Sequence, residues 1–548
     1  MEYSYRNRVQ IIQKAQNSCF DIVIIGGGIS GAGIALDASS RGLSVFLAEK
    51  DDFAQGTSSK STKLVHGGLR YMKNLEFNLV HEAGSERAIL YQNAPHIVFP
   101  QKMILPIYKG IGYSKWITSF GLWIYDVLAG VEAKYKKQTL NLTKTLKKVS
   151  LLKKDNLKGA IQYYEYRTND ARLVIENIKK SNEFGALNIN YTKAINIEKP
   201  KNNVVRVNLK DQLLDKNYSV KAKFVINATG VWANDLVKQN SLSKKTYILP
   251  SKGTHIVIDR TKINLSTAVY FELNDQRMVF AIPKDNKLII GTTDDAFNGD
   301  INDVFATQQE ISYLLKAFNQ FFNIELSIND VESTWAGIRP LVKGKTSDLN
   351  KVSRKEKIVF HNNNVLSVLG GKLTAYRLVS EKVVNKIVKL LPESKKYKKC
   401  STKNIPLSGS EFNLGEIESH KIIAFAEQKF NEAYQLNTTT DEIYGLFYCY
   451  GKNIELIINK AYDLYNSLDD KKIALLEAEI WYVTNYEMVI NLDDFLTRRT
   501  DRLYFRLNES LEQLSIIVSL MSKYLEWSED TKAAQMKKYK EIANKSHF

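Results

Sequence analysis

The stretch Asp21–Lys50, DIVIIGGGISGAGIALDASSRGLSVFLAEK, decides the fold. Its apolar run Ile22 to Ile25 reads as a strand buried on both faces. Gly26, Gly28 and Gly31 then form G-x-G-x-x-G. Small residues follow with helical spacing, and a second apolar run, Leu43 to Ala48, ends at Glu49. Each part has a physical task. Gly26 permits a tight turn, Gly28 lets the backbone approach a pyrophosphate, and Gly31 lets the helix pack closely on the strand. Free N–H groups at the helix start favour the anion. Glu49 lies 23 positions after Gly26, near the ~20 expected of a carboxylate that holds a ribose hydroxyl pair. A glycine-rich structural turn is the alternative, but it would not bring the helix, second strand and acid with it. An acid at this point argues against a 2′-phosphate and leaves NAD or FAD.

Two further strand–glycine–helix units favour flavin. In FVINATGVWAND, Phe224 to Asp235, a short apolar run enters Ala228-Thr229-Gly230. In SVLGGKLTAYR, Ser367 to Arg377, a strand ends at Gly370-Gly371 and a helix begins near Lys372. Backbone N–H groups there face the place where charge develops on a reduced flavin ring. Each unit alone is compatible with a structural turn. Three of them returning to one crevice predict FAD.

Composition sets the outer limits. The chain has 548 residues, 44% of them hydrophobic and 25% charged, which predicts a globular protein of several domains with a sizeable core. Its net charge of +18 is compatible with nucleic acid, an anionic membrane surface, anionic substrates, or plain lysine-rich solvation. No module of interleaved aromatic and basic residues supports nucleic acid, so none is expected as a partner. Cys19, Cys400 and Cys449 have neither redox nor metal-ligand spacing; a reducing compartment and no metal site are expected. The longest apolar candidate for a membrane span, Trp116 to Ala133, is interrupted by Asp126.

A denser signal lies at Ser58 to Tyr71, SSKSTKLVHGGLRY, which crowds hydroxyls, lysines, a histidine, a glycine pair and Arg70-Tyr71 together. With it go NDARLV (169–174), NATGVWAND, SKGTHIVI (251–258), IPKDNKLIIGTTDD, AGIRPL (336–341), LSVLGGKLTAYR and EMVINLDDFLTRRT (487–500). In these segments, in this order and across almost the whole chain, the sequence closely resembles the FAD-dependent, quinone-linked glycerol-3-phosphate dehydrogenases. The region from about 110 to 160 matches poorly in detail.

The resemblance implies an α/β fold. It comprises an FAD-binding Rossmann-like domain of the glutathione-reductase/amino-acid-oxidase type, an antiparallel substrate-capping sheet and a C-terminal helical domain. The boundaries expected are 1–395 for the oxidoreductase region and 396–548 for the helices. FAD binding falls at about 15–95, 166–240 and 335–395, and capping at about 96–165 and 241–334. The implied reaction oxidises the C2 alcohol of sn-glycerol 3-phosphate to dihydroxyacetone phosphate by hydride transfer to flavin N5.

By the same resemblance, His255 is the general base and Arg339 steadies the developing alkoxide. Arg354 and Lys372 hold the phosphate, assisted by Arg70 and Tyr71. Arginine's planar fork suits phosphate, whereas lysine acts as a point charge. Besides Gly26, Gly28, Gly31 and Glu49, the cofactor contacts expected are Thr57, Ser58, Ser59, Thr62, His66 and Gly67. Ala228, Thr229, Gly230, Gly370, Gly371 and Leu373 complete them. His66 is the rival base. Taken from its strand alone, His255 reads better as a satisfied core histidine.

The segment Tyr108 to Lys154 mixes Tyr113, Trp116, Trp123 and Tyr125 with lysine runs, as an interfacial membrane contact does; a buried helix beside a solvated loop is the alternative. The expectation is a cytoplasmic protein, peripheral on the inner face of the cytoplasmic membrane, with quinone as acceptor and a homodimer as its assembly. A peroxide-forming oxidase and an amine- or amino-acid-oxidising flavoenzyme are the alternatives. The short span from GTTDD to AGIRPL leaves no room for an oxidase-type insertion, and the second does not explain Arg70, Arg354 and Lys372.

Overall fold

The computed structural model describes residues 2–67, 77–128, 130–242, 248–342, 356–392, 394–412, 419–433, 436, 438–468 and 473–547. Arg70, Tyr71 and Arg354 therefore lie outside the described residues.

The quoted stretch forms the strand Cys19–Ile25, the helix Ile29–Ser40 and the strand Val45–Ala48. Ile22 to Ile25 are all buried, as the continuous apolar run requires of a central parallel strand. Parallel neighbours run in the order Val365–Leu369, Lys216–Asn227, Cys19–Ile25, Val45–Ala48, Leu187–Ile189. An antiparallel meander, Thr192–Ile197 and Val205–Asp211, extends from Lys216–Asn227. The register pairs Ile25 with both Asn227 and Ala48. Gly26, Ala228 and Glu49 consequently emerge side by side at the carboxyl ends of the strands, where open α/β sheets take their ligands.

Helix Ile29–Ser40 is almost wholly buried because it sits between the sheet and two further helices, Asp170–Glu183 and Tyr376–Leu390. A Cβ on Gly31 would fall 1.9 Å from the Gly26 carbonyl oxygen, so only glycine lets the helix start this close to the strand.

The second sheet is mainly antiparallel. The strand Ile248–Asp259 pairs along its length with Val331–Val342 on one side. On the other it pairs with Lys287–Gly291 and, past a break, with Asp295–Ala296. The sheet continues through Met278–Lys284, Ala268–Glu272, Phe99–Tyr108 and Leu157–Arg167 to the two-residue strand Leu64–Val65. That last strand belongs to the segment Ser58–Gly67.

Beyond residue 400 the described regular structure is helical, from Ser419–Ala433 to Glu529–Ser546, with a π-helical turn at Asp494–Arg499. Two motifs from distant parts of the sequence meet at its base. Arg172, of NDARLV, donates from Nη1 and Nη2 to the Glu487 carboxylate of EMVINLDDFLTRRT at 2.5 and 2.7 Å. Arg172 also pairs with Glu176, and Lys179 joins the same group at 3.2 Å from Glu487. Burial by itself would raise the Glu487 carboxyl, but Arg172 and Lys179 outweigh it and bring it down to about 2.

Candidate active site

One cavity of about 1190 Å³ runs from the carboxyl edge of the first sheet onto the second. Its first half is built by the three glycine units. Gly26 has φ +112°, and a Cβ there would strike the Ala228 carbonyl oxygen at 2.6 Å; the turn and the A-T-G strand exclude each other unless residue 26 is glycine. The Glu49 carboxylate accepts from the Gly27 N–H at 2.6 Å and the Asp51 N–H at 3.0 Å. Burial pushes its carboxyl up to about 7 against those two hydrogen bonds. At the helix start, the Ile29 N–H donates to Ser58 Oγ at 3.0 Å. Trp232, from the A-T-G segment, lies under Lys50 with Nζ 4.1 Å from the ring centroid. Its Nε1 donates to Asn302 at 2.8 Å, which closes the far end of the crevice.

The chain from Thr57 to His66 runs along the cavity, held by hydrogen bonds to several of the other motifs. Thr57 Oγ1 donates to the Ile338 carbonyl of AGIRPL at 2.6 Å, Trp335 Nε1 to the Ser61 carbonyl at 3.1 Å, and Thr374 Oγ1 to the His66 carbonyl at 3.1 Å. Of the residues expected at the cofactor, Gly26, Gly28, Glu49, Thr57, Ser58, Thr62, His66, Ala228, Thr229, Gly230, Gly370, Gly371 and Leu373 line the cavity. Three do not. Gly31 packs helix on strand, and Ser59 is buried behind the wall at 2% exposure. Gly67 backs onto Tyr125, whose hydroxyl a Cβ would meet at 2.0 Å, and donates its N–H to Glu165 at 3.0 Å.

The second half of the cavity holds His255, Arg339 and Lys372. His255 Nε2 lies 2.9 Å from Thr62 Oγ1, and the imidazole stacks on Trp335 with centroids 4.8 Å apart and planes 12° from parallel. Its Nδ1 is buried with no hydrogen-bond partner. Burial, then the nearby Arg339 and Lys63 charges, hold the ring neutral, with its pKa well below the usual histidine range. Arg339 donates from Nη1 to the Thr293 carbonyl and to Asp294, both at 3.2 Å, and from Nη2 to Thr292 Oγ1 at 3.0 Å. Burial lowers the Lys372 ammonium to about 7.

Sequence reading missed the glycines that make room for His255, Arg339 and the Lys60 backbone. A Cβ on Gly291 would lie 2.2 Å from His255 Cδ2, one on Gly253 would lie 2.4 Å from Arg339 Nη2, and one on Gly337 would lie 2.5 Å from the Lys60 carbonyl. Each sits inside a strand, where glycine costs stability and marks a close approach. The isolated glycines of SKGTH, IIGTT and AGIRP were the available signal. Lys60 was also missed; it lines the wall with its pKa lowered to about 8 by burial and then by Arg498.

Residues 21–377 match the family described as FAD dependent oxidoreductase, and residues 400–532 match the C-terminal domain of alpha-glycerophosphate oxidase. The chain is 41% identical over 547 residues to an aerobic glycerol-3-phosphate dehydrogenase of Staphylococcus aureus (strain MRSA252), covering 99% of this chain and 96% of that one. The chain belongs to this family of FAD-dependent oxidoreductases. A counterpart from Staphylococcus haemolyticus (strain JCSC1435) is also 41% identical, over 96% of this chain and 95% of its own.

Among solved structures, the glycerol-3-phosphate dehydrogenase from Bacillus halodurans complexed with FAD superposes with a TM-score of 0.82 at 34% identity. It covers 99% of this chain and 98% of its own. The L-alpha-glycerophosphate oxidase from Mycoplasma pneumoniae shares the fold, with a TM-score of 0.55 at 18% identity over 71% of this chain and 98% of its own. The cofactor of the family is FAD, and the cavity's first half fits it. Its helix N-terminus, the Glu49 carboxylate and the side-chain-free edge at Gly370-Gly371 are the donors and spaces that a dinucleotide and a flavin ring need.

Proposed function

We propose that the protein oxidises sn-glycerol 3-phosphate at C2 to dihydroxyacetone phosphate and passes the electrons to a quinone at an anionic membrane surface. One observation carries the reading: His255, Arg339 and Lys372 converge on the same cavity whose other half is the dinucleotide cradle. When bound, FAD supplies the hydride acceptor. Lys372 holds the substrate phosphate as a point charge, with Arg354, Arg70 and Tyr71 assigned to the same task by their motifs. Arg339, fixed by Asp294 and Thr292, faces the oxygen that becomes an alkoxide in the transition state. His255 receives the hydroxyl proton at Nε2, the nitrogen directed at Thr62 in the cavity wall. A resting neutral imidazole is the form that accepts a proton. The dianionic phosphate offsets the positive charge of Arg339 and Lys63 that otherwise disfavours the imidazolium.

The acceptor and membrane parts rest on the helix Lys115–Leu128. Trp116, Phe120, Trp123 and Val127 form one exposed stripe on it, with Trp116 86% exposed, while Leu122 and Tyr125 on the other side are buried. Lysines 109, 115, 134, 136 and 137 flank it, as an interfacial helix on anionic lipid requires. Among the described residues no helix is long and apolar enough to cross a membrane. Tyr113, just before the helix, lines the cavity, so a lipid-soluble acceptor would reach the site from this side.

The decisive experiment is anaerobic mixing of the purified yellow protein with sn-glycerol 3-phosphate. Bleaching of the flavin is expected, with none by glycerol or lactate; equal bleaching by lactate would sink the assignment. Peroxide formed in air without quinone would move the protein to the oxidases.

A further inference from the structure

Among the described residues the C-terminal helical domain contributes none to the cavity wall, yet its buried Arg498, Arg499 and Asp501 pair with the two ends of a segment of that wall. The wall segment 52–63 contains little regular structure, a single 3-10 turn at Thr57–Ser59, so its shape has to be imposed from outside. Its two ends carry the buried charges Asp52 and Lys63. Asp52 accepts at Oδ2 from Arg498 Nε at 2.6 Å and Arg499 Nη1 at 2.7 Å, and at Oδ1 from Arg499 Nη2 and Asn190 Nδ2, both at 3.0 Å. Asp52 and Arg499 are 0% exposed and Arg498 is 3% exposed. At the other end, Lys63 Nζ donates to Asp170 at 2.6 Å and to Asp501 at 3.5 Å, and Asp501 also accepts from Asn169 at 2.9 Å. Both ends of the segment are thus gripped by residues 498–501.

We propose that Arg498, Arg499 and Asp501 are positioning residues for FAD. They buckle both ends of segment 52–63 and so set the affinity with which the cofactor is held. Between the anchors lie Ser58, on the Ile29 N–H at the helix start, and Thr62, on His255. A shift of the segment moves both contacts together. The buckle itself is rigid. Arg498 is held in addition by Asp493 and Asp494 at 3.0 and 2.6 Å, and Arg499 donates to the Glu487 carbonyl at 2.8 Å. Charged pairs excluded from water fix geometry in this way because either partner left alone would be an uncompensated buried charge. The inference rests on reading the cavity as the flavin site, but its test measures cofactor affinity, whereas substrate bleaching of the wild type tests the reaction.

The test compares FAD release from purified holoprotein, followed by flavin fluorescence, in Arg499→Lys, Asp52→Asn and the control Ile457→Ala. Lysine keeps the charge but cannot span both Asp52 oxygens. Ile457 is fully buried in the helix Ile454–Tyr465, in the helical domain. The FAD dissociation constant is expected to rise at least tenfold in the first two variants, with a shifted visible flavin spectrum. Ile457→Ala is expected to stay within twofold of wild type despite a lower Tm. Wild-type FAD affinity in folded Arg499→Lys and Asp52→Asn would overturn the proposal, as would an equal loss in Ile457→Ala. If Arg499→Lys does not fold, Asp52→Asn and Asp501→Asn read the two ends separately. Failure of all three to fold would reduce the buckle to a structural brace and overturn it too.

Discussion

Replacing Gly291 by alanine tests the proposed catalytic half of the site without replacing a reacting group. Gly291 is the cross-strand partner of His255 on one side, and Trp335 is its partner on the other. The new Cβ would lie 2.2 Å from His255 Cδ2, 2.9 Å from Cγ and 3.0 Å from Nε2, where ordinary contact begins at 3.4 Å. The ring must therefore retreat by about 1 Å, and a misplacement of that size costs on the order of 10²-fold in rate. Trp335, stacked at 4.8 Å, opposes the retreat, and the hydrogen bond to Thr62 is lost with it. A 10²-fold loss is about 2.7 kcal/mol of barrier. The assay is anaerobic stopped-flow reduction of the flavin by sn-glycerol 3-phosphate. FAD content should stay at the wild-type level, because Gly291 does not line the cavity. Gly253→Ala is the companion test for Arg339: its Cβ would lie 2.4 Å from Nη2, so the guanidinium held by Asp294 and Thr292 must shift, and flavin reduction should slow with it. A wild-type reduction rate in Gly291→Ala, or a loss fully accounted for by missing FAD, would refute the placement of His255 at the reacting carbon.

Four further outcomes are expected. His255→Ala should lower kcat strongly while retaining bound FAD; normal turnover would remove this residue from the mechanism. Because burial brings Lys372 down to about 7, its charge is lost as pH rises through that value, and kcat/KM for the phosphorylated substrate should fall with it. Lys372→Arg should abolish that limb, and a profile unchanged by the substitution would refute the phosphate assignment. Trp116→Glu with Phe120→Glu should abolish binding to anionic vesicles in a sedimentation assay at low salt and leave flavin reduction intact; unchanged binding would count against the stripe. His96 and His255 are both buried and held well below the usual histidine pKa, so below about 6.5 the unfolded chain binds protons that the folded one does not. For the two histidines together this lowers stability by about 2.7 kcal/mol between roughly pH 7.5 and 5.5. Glu49, whose carboxyl burial raises to about 7, takes up its proton in the folded chain over the same range and acts in the opposite direction. The histidine contribution is read as the difference in the pH dependence of the urea midpoint between wild type and His96→Gln; no difference would contradict it.

Local grammar made the cofactor half of the protein legible in the sequence. The glycine at position 26, the strand before it and the acid after the second strand belong to one short stretch, and their spacing alone implies how they meet. The resemblance extended this to His255, Arg339 and Lys372, and the tertiary structure brings these three to one cavity. Three things were not readable. Gly253, Gly291 and Gly337 look like ordinary strand interruptions until the fold shows what needs the space: the Arg339 and His255 side chains and the Lys60 backbone. Asp52 reads as a surface acid in EKDDF until Arg498 and Arg499, more than 440 positions away, are found on its oxygens. Arg172 and Glu487 likewise meet only through packing of the helical domain on the helix Asp170–Glu183. The physical reason is common to all three. Sequence spacing fixes contacts made within one strand or one helical turn, whereas room for a side chain and partnership of buried charges depend on which distant surfaces the fold presses together.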